Sequence, residues 1–197
     1  RLFFSLLFFL DSVSLAVAGE SNRSLGVSSA PIVIVQYASV TCPACAEWHK
    51  NVFPIVRSDL VDTGKVRFEL RESIIGEDEM VIAGAMGFMV ARCAKQLYYF
   101  DVIGSLYRGQ DTLFLGDVKG WLESGGRAGH MTSEDVISCI EDKQAWTEFK
   151  ERFAENHSGQ YAQLAGIPAF YVNGKLIGIG SNIGIDKLKI AIEVAAR

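Results

Sequence analysis

Basic residues are in short supply. The 197-residue chain carries 19 Lys and Arg against 23 Asp and Glu, a net charge of −4. That balance argues against nucleic acid as a partner and offers nothing to an acidic membrane surface. No apolar run is long enough to cross a bilayer, the stretch from Leu2 to Leu10 falling short. Histidine is limited to three scattered residues, and only one pair of the four cysteines has C-x-x-C spacing. Both facts disfavour a zinc site built from all four cysteines. No internal repeat or low-complexity stretch divides the sequence. The length is that of one domain with room for an insertion, and is sufficient to bury a sizeable core.

Residues 1–18 form a region of their own: Arg1, the apolar run to Leu10, Asp11, then small residues ending Ala16-Val17-Ala18. This is the order of a secretory signal peptide cleaved before Gly19. A buried N-terminal helix, or an uncleaved anchor tethering the protein to a membrane, is the alternative. Export places the cysteines in an oxidising compartment, where disulfides persist. Cys42, Cys45, Cys93 and Cys139 then make two pairs, with three connectivities open. Pairing the neighbours Cys42 and Cys45 leaves Cys93 with Cys139 as the simplest assignment, against two buried free thiols or a shared zinc.

Cys42-Pro43-Ala44-Cys45 follows the apolar run Ile32 to Tyr37 and precedes a stretch of helical periodicity. A strand leading into C-x-x-C at a helix start is the setting of a redox motif, although the bare motif also occurs in metal knuckles. At that place the unpaired N–H groups and the positive end of the helix dipole favour a thiolate on Cys42.

The rest of the pattern is mixed α/β. After a polar linker, Gly19 to Ala30, the Ile- and Val-rich Pro31 to Ala38 predicts a buried strand. Ala44 to Val56 predicts a helix that Pro54 kinks or restarts as a next turn, and Lys65 to Leu70 a half-exposed strand. From Glu77 to about Asn156 the periodicity is helical. Met86, Val90, Cys93 and Leu97 lie on one stripe, with further helices at Asp117–Leu122, Thr132–Ile140 and Gln144–Asn156. Thr132 and Asp135 supply a capping signal, and Gly125-Gly126 with Gly129 mark a loop before it. Ala169–Val172 and Lys175–Ile179 flank Asn173-Gly174, the dipeptide of a type I′ hairpin, and Ile185–Ala195 closes the chain as a helix.

Two segments carry a family resemblance. Tyr37-Ala38-Ser39 leading into Thr41-Cys42-Pro43-Ala44-Cys45, with Ala46-Glu47-Trp48-His49 and Val52-Phe53-Pro54, is one; Gly166-Ile167-Pro168-Ala169-Phe170-Tyr171-Val172-Asn173-Gly174 is the other. Together they resemble the DsbA family of exported thiol:disulfide oxidoreductases, α/β proteins of thioredoxin-like fold with an inserted helical domain. The resemblance implies that residues 19–197 form one such domain, with the helical insertion at about 77–143. It makes Cys42 the exposed nucleophile, Cys45 the buried resolving thiol, and Ile167-Pro168 a cis peptide facing them, whose backbone can pair with an extended substrate. It also implies a structural disulfide between Cys93 and Cys139 within the insertion.

Two departures from the family pattern modulate that picture. Ala44 stands where strongly oxidising members carry His, so the reduced form loses a stabilising partner and a milder oxidant is expected. Gln36 stands where many relatives carry a buried Glu, and an amide cannot titrate. His49 is then a candidate polar neighbour for Cys45, or a packed ring. The family implies no cofactor and no metal. The expected partners are unfolded exported proteins with free cysteines and a membrane quinone-linked thiol oxidase of DsbB type for reoxidation, in the periplasm. A reductase or isomerase is the competing enzyme, and a non-catalytic thioredoxin-fold binding module the reading from another class. The segment Gly19 to Ala30 is too short for an isomerase dimerisation domain, so a monomer is expected.

Overall fold

The computed structural model describes residues 23–74, 78–159 and 164–197. The expected leader, residues 1–18, lies outside them. Strand β2 (Ile32–Ala38) runs through the middle of a five-stranded sheet, parallel to β3 (Val66–Glu72) and antiparallel to β4 (Ala169–Val172). One edge is β1 (Arg23–Leu25), antiparallel to β3, and the other is β5 (Lys175–Ile179), antiparallel to β4. The near-continuous apolar sequence of β2 follows from being covered on both faces. Between β4 and β5 both Asn173 and Gly174 have positive φ, as a type I′ turn requires. The Asn173 side-chain oxygen also accepts from the Val33 N–H at 2.8 Å, pinning the hairpin to β2.

Two strand expectations need correction. The stretch read as a linker, Gly19 to Ala30, contains β1, whose three residues are too few to show a period. β3 is more buried than its alternating charges predict, because it is an inner strand between β1 and β2. Its Glu72 is fully buried, yet it is paired with Arg92 and, at 3.7 Å, with Arg152, and it accepts from the Tyr99 hydroxyl at 3.2 Å. Charge at such a position is tolerated because it is compensated.

Helix α1 (Pro43–Asn51) breaks at Val52, and α2 (Phe53–Val56) restarts with Pro54 in its first turn, where a missing N–H is harmless. Trp48 anchors α1 to the sheet. It is fully buried, stacks on Phe68 at 6.1 Å, meets Phe170 at 4.6 Å and donates from Nε1 to the Ile183 carbonyl at 2.7 Å. The helices inserted between β3 and β4 are α3 (Asp78–Cys93), α4 (Tyr99–Arg108), α5 (Gln110–Phe114), α6 (Val118–Ala128) and α7 (Ser133–Glu141). α8 (Lys143–Asn156) then leads back to the sheet, and α9 (Ile185–Ala195) packs its buried Leu188 near β4 and β5. Tyr99 and Phe100 are core side chains.

Two helical expectations also differ. Leu97 leaves the apolar stripe, because α3 ends at Cys93 and Leu97 sits exposed in a separate turn, Gln96–Tyr98. Gly125 and Gly126 are not a loop but part of α6. A Cβ on Gly125 would lie 2.7 Å from Leu106, and one on Gly126 would lie 2.3 Å from Val136. These glycines are there for close helix packing. The expected cap at Thr132 is a full box: its Oγ1 accepts from the Asp135 N–H at 3.1 Å, and Asp135 Oδ2 accepts from the Thr132 N–H at 2.8 Å.

Candidate redox site

The end of β2 and the start of β4 are neighbours, so the turn after one strand faces the turn before the other. After β2 the chain folds back, with the Cys42 N–H donating to the Ser39 carbonyl at 3.1 Å, and delivers Cys42 as the N-cap of α1. Pro43 fills the first helical position, for which its fixed φ is suited. An N-cap normally offers an oxygen to the free N–H groups of the first turn. Here the sulfur of Cys42 takes that role, accepting from the Cys45 N–H at 3.3 Å. The positive helix end adds to the attraction for a negative sulfur.

Cys42 and Cys45 are free thiols. A hydrogen bond from the Cys45 thiol is the largest influence on Cys42. With backbone N–H groups of Cys45 and Ala44 it outweighs burial and brings Cys42 down from 9.0 to about 7. Burial, reinforced by the neighbouring Cys42, pushes Cys45 the other way, so it stays protonated. One sulfur is therefore prepared as nucleophile and leaving group while the other holds its proton. Cys42 is less open than an exposed nucleophile, at 6% exposure, because Ile167 covers it with its carbonyl 4.0 Å from the sulfur. The Ile167–Pro168 peptide is cis.

The remaining sequence candidates take different places. Pro43 is exposed and Ala44 partly buried beside the sulfur. His49 lies one turn after Cys45, but its ring stacks on Phe53 at 4.5 Å and leans on Tyr107 at 4.9 Å. Burial, then the charge of Arg108, lowers it to about 4, so it is a neutral packed ring at neutral pH. Gln36 is buried in β2 between Leu70 and Phe170 of the flanking strands, and its Nε2 has no hydrogen-bond partner among the described residues. Cys93 and Cys139 are joined in a disulfide that ties α3 to α7, so the four sulfurs do not share one metal.

Two residues near the sulfurs carried no sequence signal of that role. Gln110 donates from Nε2 to the carbonyls of Val40 and Cys42. Tyr107 is buried with no partner for its hydroxyl among the described residues, and burial followed by the nearness of Cys45 and Cys42 pushes its phenol up. Both come from the inserted helices, which meet α1 across a cleft of about 700 Å³ lined by Ala46, His49, Phe53, Tyr107, Arg108 and Gln110. In sequence Tyr107 is one more apolar position of α4 and Gln110 one more polar residue, and neither pattern points to the sulfurs.

A mixed sheet with a capped C-x-x-C on its first helix, opposed by a proline loop, defines a thioredoxin-type dithiol protein. The chain belongs to the thioredoxin family, whose model matches residues 19–194. Disulfide bond formation protein D of Bacillus subtilis is 31% identical over 190 residues, covering 93% of this chain and 81% of that protein. A Rickettsia conorii protein provisionally classed as a protein-disulfide oxidoreductase is 25% identical over 178 residues, 89% of this chain and 61% of that one. The chain thus spans about three fifths of the length of the rickettsial relatives it matches. Wolbachia pipientis alpha-DsbA1 superposes with a TM-score of 0.70 at 23% identity, covering 88% of this chain and 90% of that one, a likeness of fold. Among the described residues no helix is long and apolar enough to cross a membrane.

Proposed function

We propose that this protein is an exported thiol:disulfide oxidoreductase that introduces disulfides into newly secreted proteins through Cys42 and Cys45. The observation that carries the reading is the Cys42 sulfur at the cap of α1, 3.3 Å from the Cys45 N–H and facing the Ile167 carbonyl. In the oxidised protein a client thiolate attacks Cys42 Sγ, the Cys42–Cys45 bond breaks, and Cys45 leaves and takes up a proton. A second client thiolate then attacks the client sulfur of the mixed disulfide and expels Cys42 as thiolate. The client gains one disulfide and the protein two electrons. A membrane quinone-linked thiol oxidase accepts those electrons and restores the pair. The Ile167 backbone beside the sulfur offers an extended client a place to align.

This chemistry needs an oxidising compartment, read here as the periplasm, after loss of residues 1–18. Residues 19–197 act as one monomeric domain, with residues 77–143 inserted. A Cys42 pKa of about 7 stabilises the reduced form less than superfamily thiols reaching down to about 3.5. With Ala44 in place of His and Gln36 in place of Glu, a milder oxidant follows. The test is transfer of disulfides to a reduced, unfolded protein. Wild type is expected to transfer them, and folded Cys42→Ser to lose the activity entirely. Trapping the pair in its native compartment distinguishes the directions, since an oxidase rests oxidised and a reductase rests reduced.

A further inference from the structure

The inserted helices hydrogen-bond the redox loop through Gln110. Gln110, the first residue of α5, is buried, and its Nε2 donates to the Val40 carbonyl at 2.8 Å and to the Cys42 carbonyl at 3.1 Å. A side-chain amide has two hydrogens to give, and both go to this turn. The Cys42 carbonyl also accepts from the Ala46 N–H at 3.1 Å, the first bond of α1. Gln110 therefore holds the peptide plane from which the helix starts. The tilt of that plane decides where the Cys45 N–H points, and it points at Cys42 Sγ. Without the amide, two carbonyls in a buried turn would lose their shared donor, and the turn would shift to satisfy them.

Resting on the redox function proposed above, we infer that Gln110 is a positioning residue for thiol–disulfide exchange: its clamp on Val40 and Cys42 keeps the Cys42 sulfur seated at the N-terminus of α1 and so sets how strongly the protein oxidises. The oxidising strength then depends on the insertion as well as on the two residues between the cysteines. Loosening the clamp weakens the hydrogen bonds to the sulfur, and Cys42 moves back from about 7 toward 9.0. The reduced form loses that stabilisation, so the equilibrium with glutathione moves toward the disulfide.

Gln110→Met keeps the length of the side chain and removes both donors. Thiolate absorbance against pH and the glutathione equilibrium are measured on this variant and on wild type. The expected result is a Cys42 midpoint higher by about one unit, hence about tenfold less thiolate well below both midpoints, with a several-fold shift of the equilibrium toward the disulfide. A folded variant with both values at wild type overturns the inference, since a merely structural amide would change stability alone. Should the variant not fold, the wild type decides. Slow exchange of the Gln110 Nε2 hydrogens, and a change in their resonance when the pair is oxidised, support the clamp; fast exchange with no change overturns it. If the wild-type pair itself does not equilibrate with glutathione, the redox function fails and the inference with it.

Discussion

The two cysteines share a helix turn, yet their protons behave oppositely. The cause is direction: N–H groups and a thiol donate to Cys42, whereas Cys45 is buried and donates. The reduced protein should therefore titrate one thiol near pH 7, seen as ultraviolet thiolate absorbance absent from Cys42→Ser. A midpoint at the ordinary 9.0 would contradict the capping geometry. The folded value lies below the unfolded one, so the stabilisation of the reduced fold is complete above pH 9.0 and is lost as pH falls through about 7. His49 has the same sign at lower pH. Its pKa falls from 6.5 to about 4, so stability is retained above 6.5 and lost as pH drops through that window. His49→Phe keeps the stack on Phe53 and Tyr107 and removes the titration. Denaturant midpoints measured between pH 6.5 and 4 should fall less steeply for the variant, by up to about 1.4 kcal/mol per pH unit.

At the scale of elements, what the sequence shows depends on how local the cause is. Strand β2, the capped α7 and the Asn173-Gly174 turn each follow from a few adjacent residues, and each was legible. The burial of β3 depends on a strand too short to recognise, and Gly125-Gly126 punctuate like a loop while serving a helix contact. In the site, the order and spacing of the two motifs were legible. The reach of Gln110 was not, because a hydrogen bond between residues 110 and 42 leaves no local pattern. The glycine case can be checked. Ala at Gly126 gains helix propensity of up to about 1 kcal/mol, but its Cβ meets Val136 at 2.3 Å. Overpacking costs about 1–3 kcal/mol. Gly126→Ala should therefore unfold at lower denaturant, by about 1–2 kcal/mol, whereas a simple loop glycine would give no loss.

On the scale of the whole molecule, the insertion and the sheet are joined at Glu72. Its carboxylate ends β3, and around it gather Arg92 from α3, Tyr99 from α4 and Arg152 from α8. The Arg92 and Arg23 guanidinium groups each also lie over the Tyr99 ring at 5.8 Å, so β1 joins the same cluster. A buried ionic group of this kind contributes little relative to apolar packing, but removing the carboxylate takes away the central charge that the desolvated arginines face. Glu72→Gln keeps the volume and removes the charge that balances two arginines. The expected loss is about 3–5 kcal/mol, read from chemical denaturation. Because Glu72 belongs to the sheet and its partners to the helices, the loss should appear as one cooperative transition at lower denaturant. Two separate transitions would mean that this cluster was what coupled the insertion to the sheet, and that Gln110 and the aromatic contacts across α1 do not hold the two together without it.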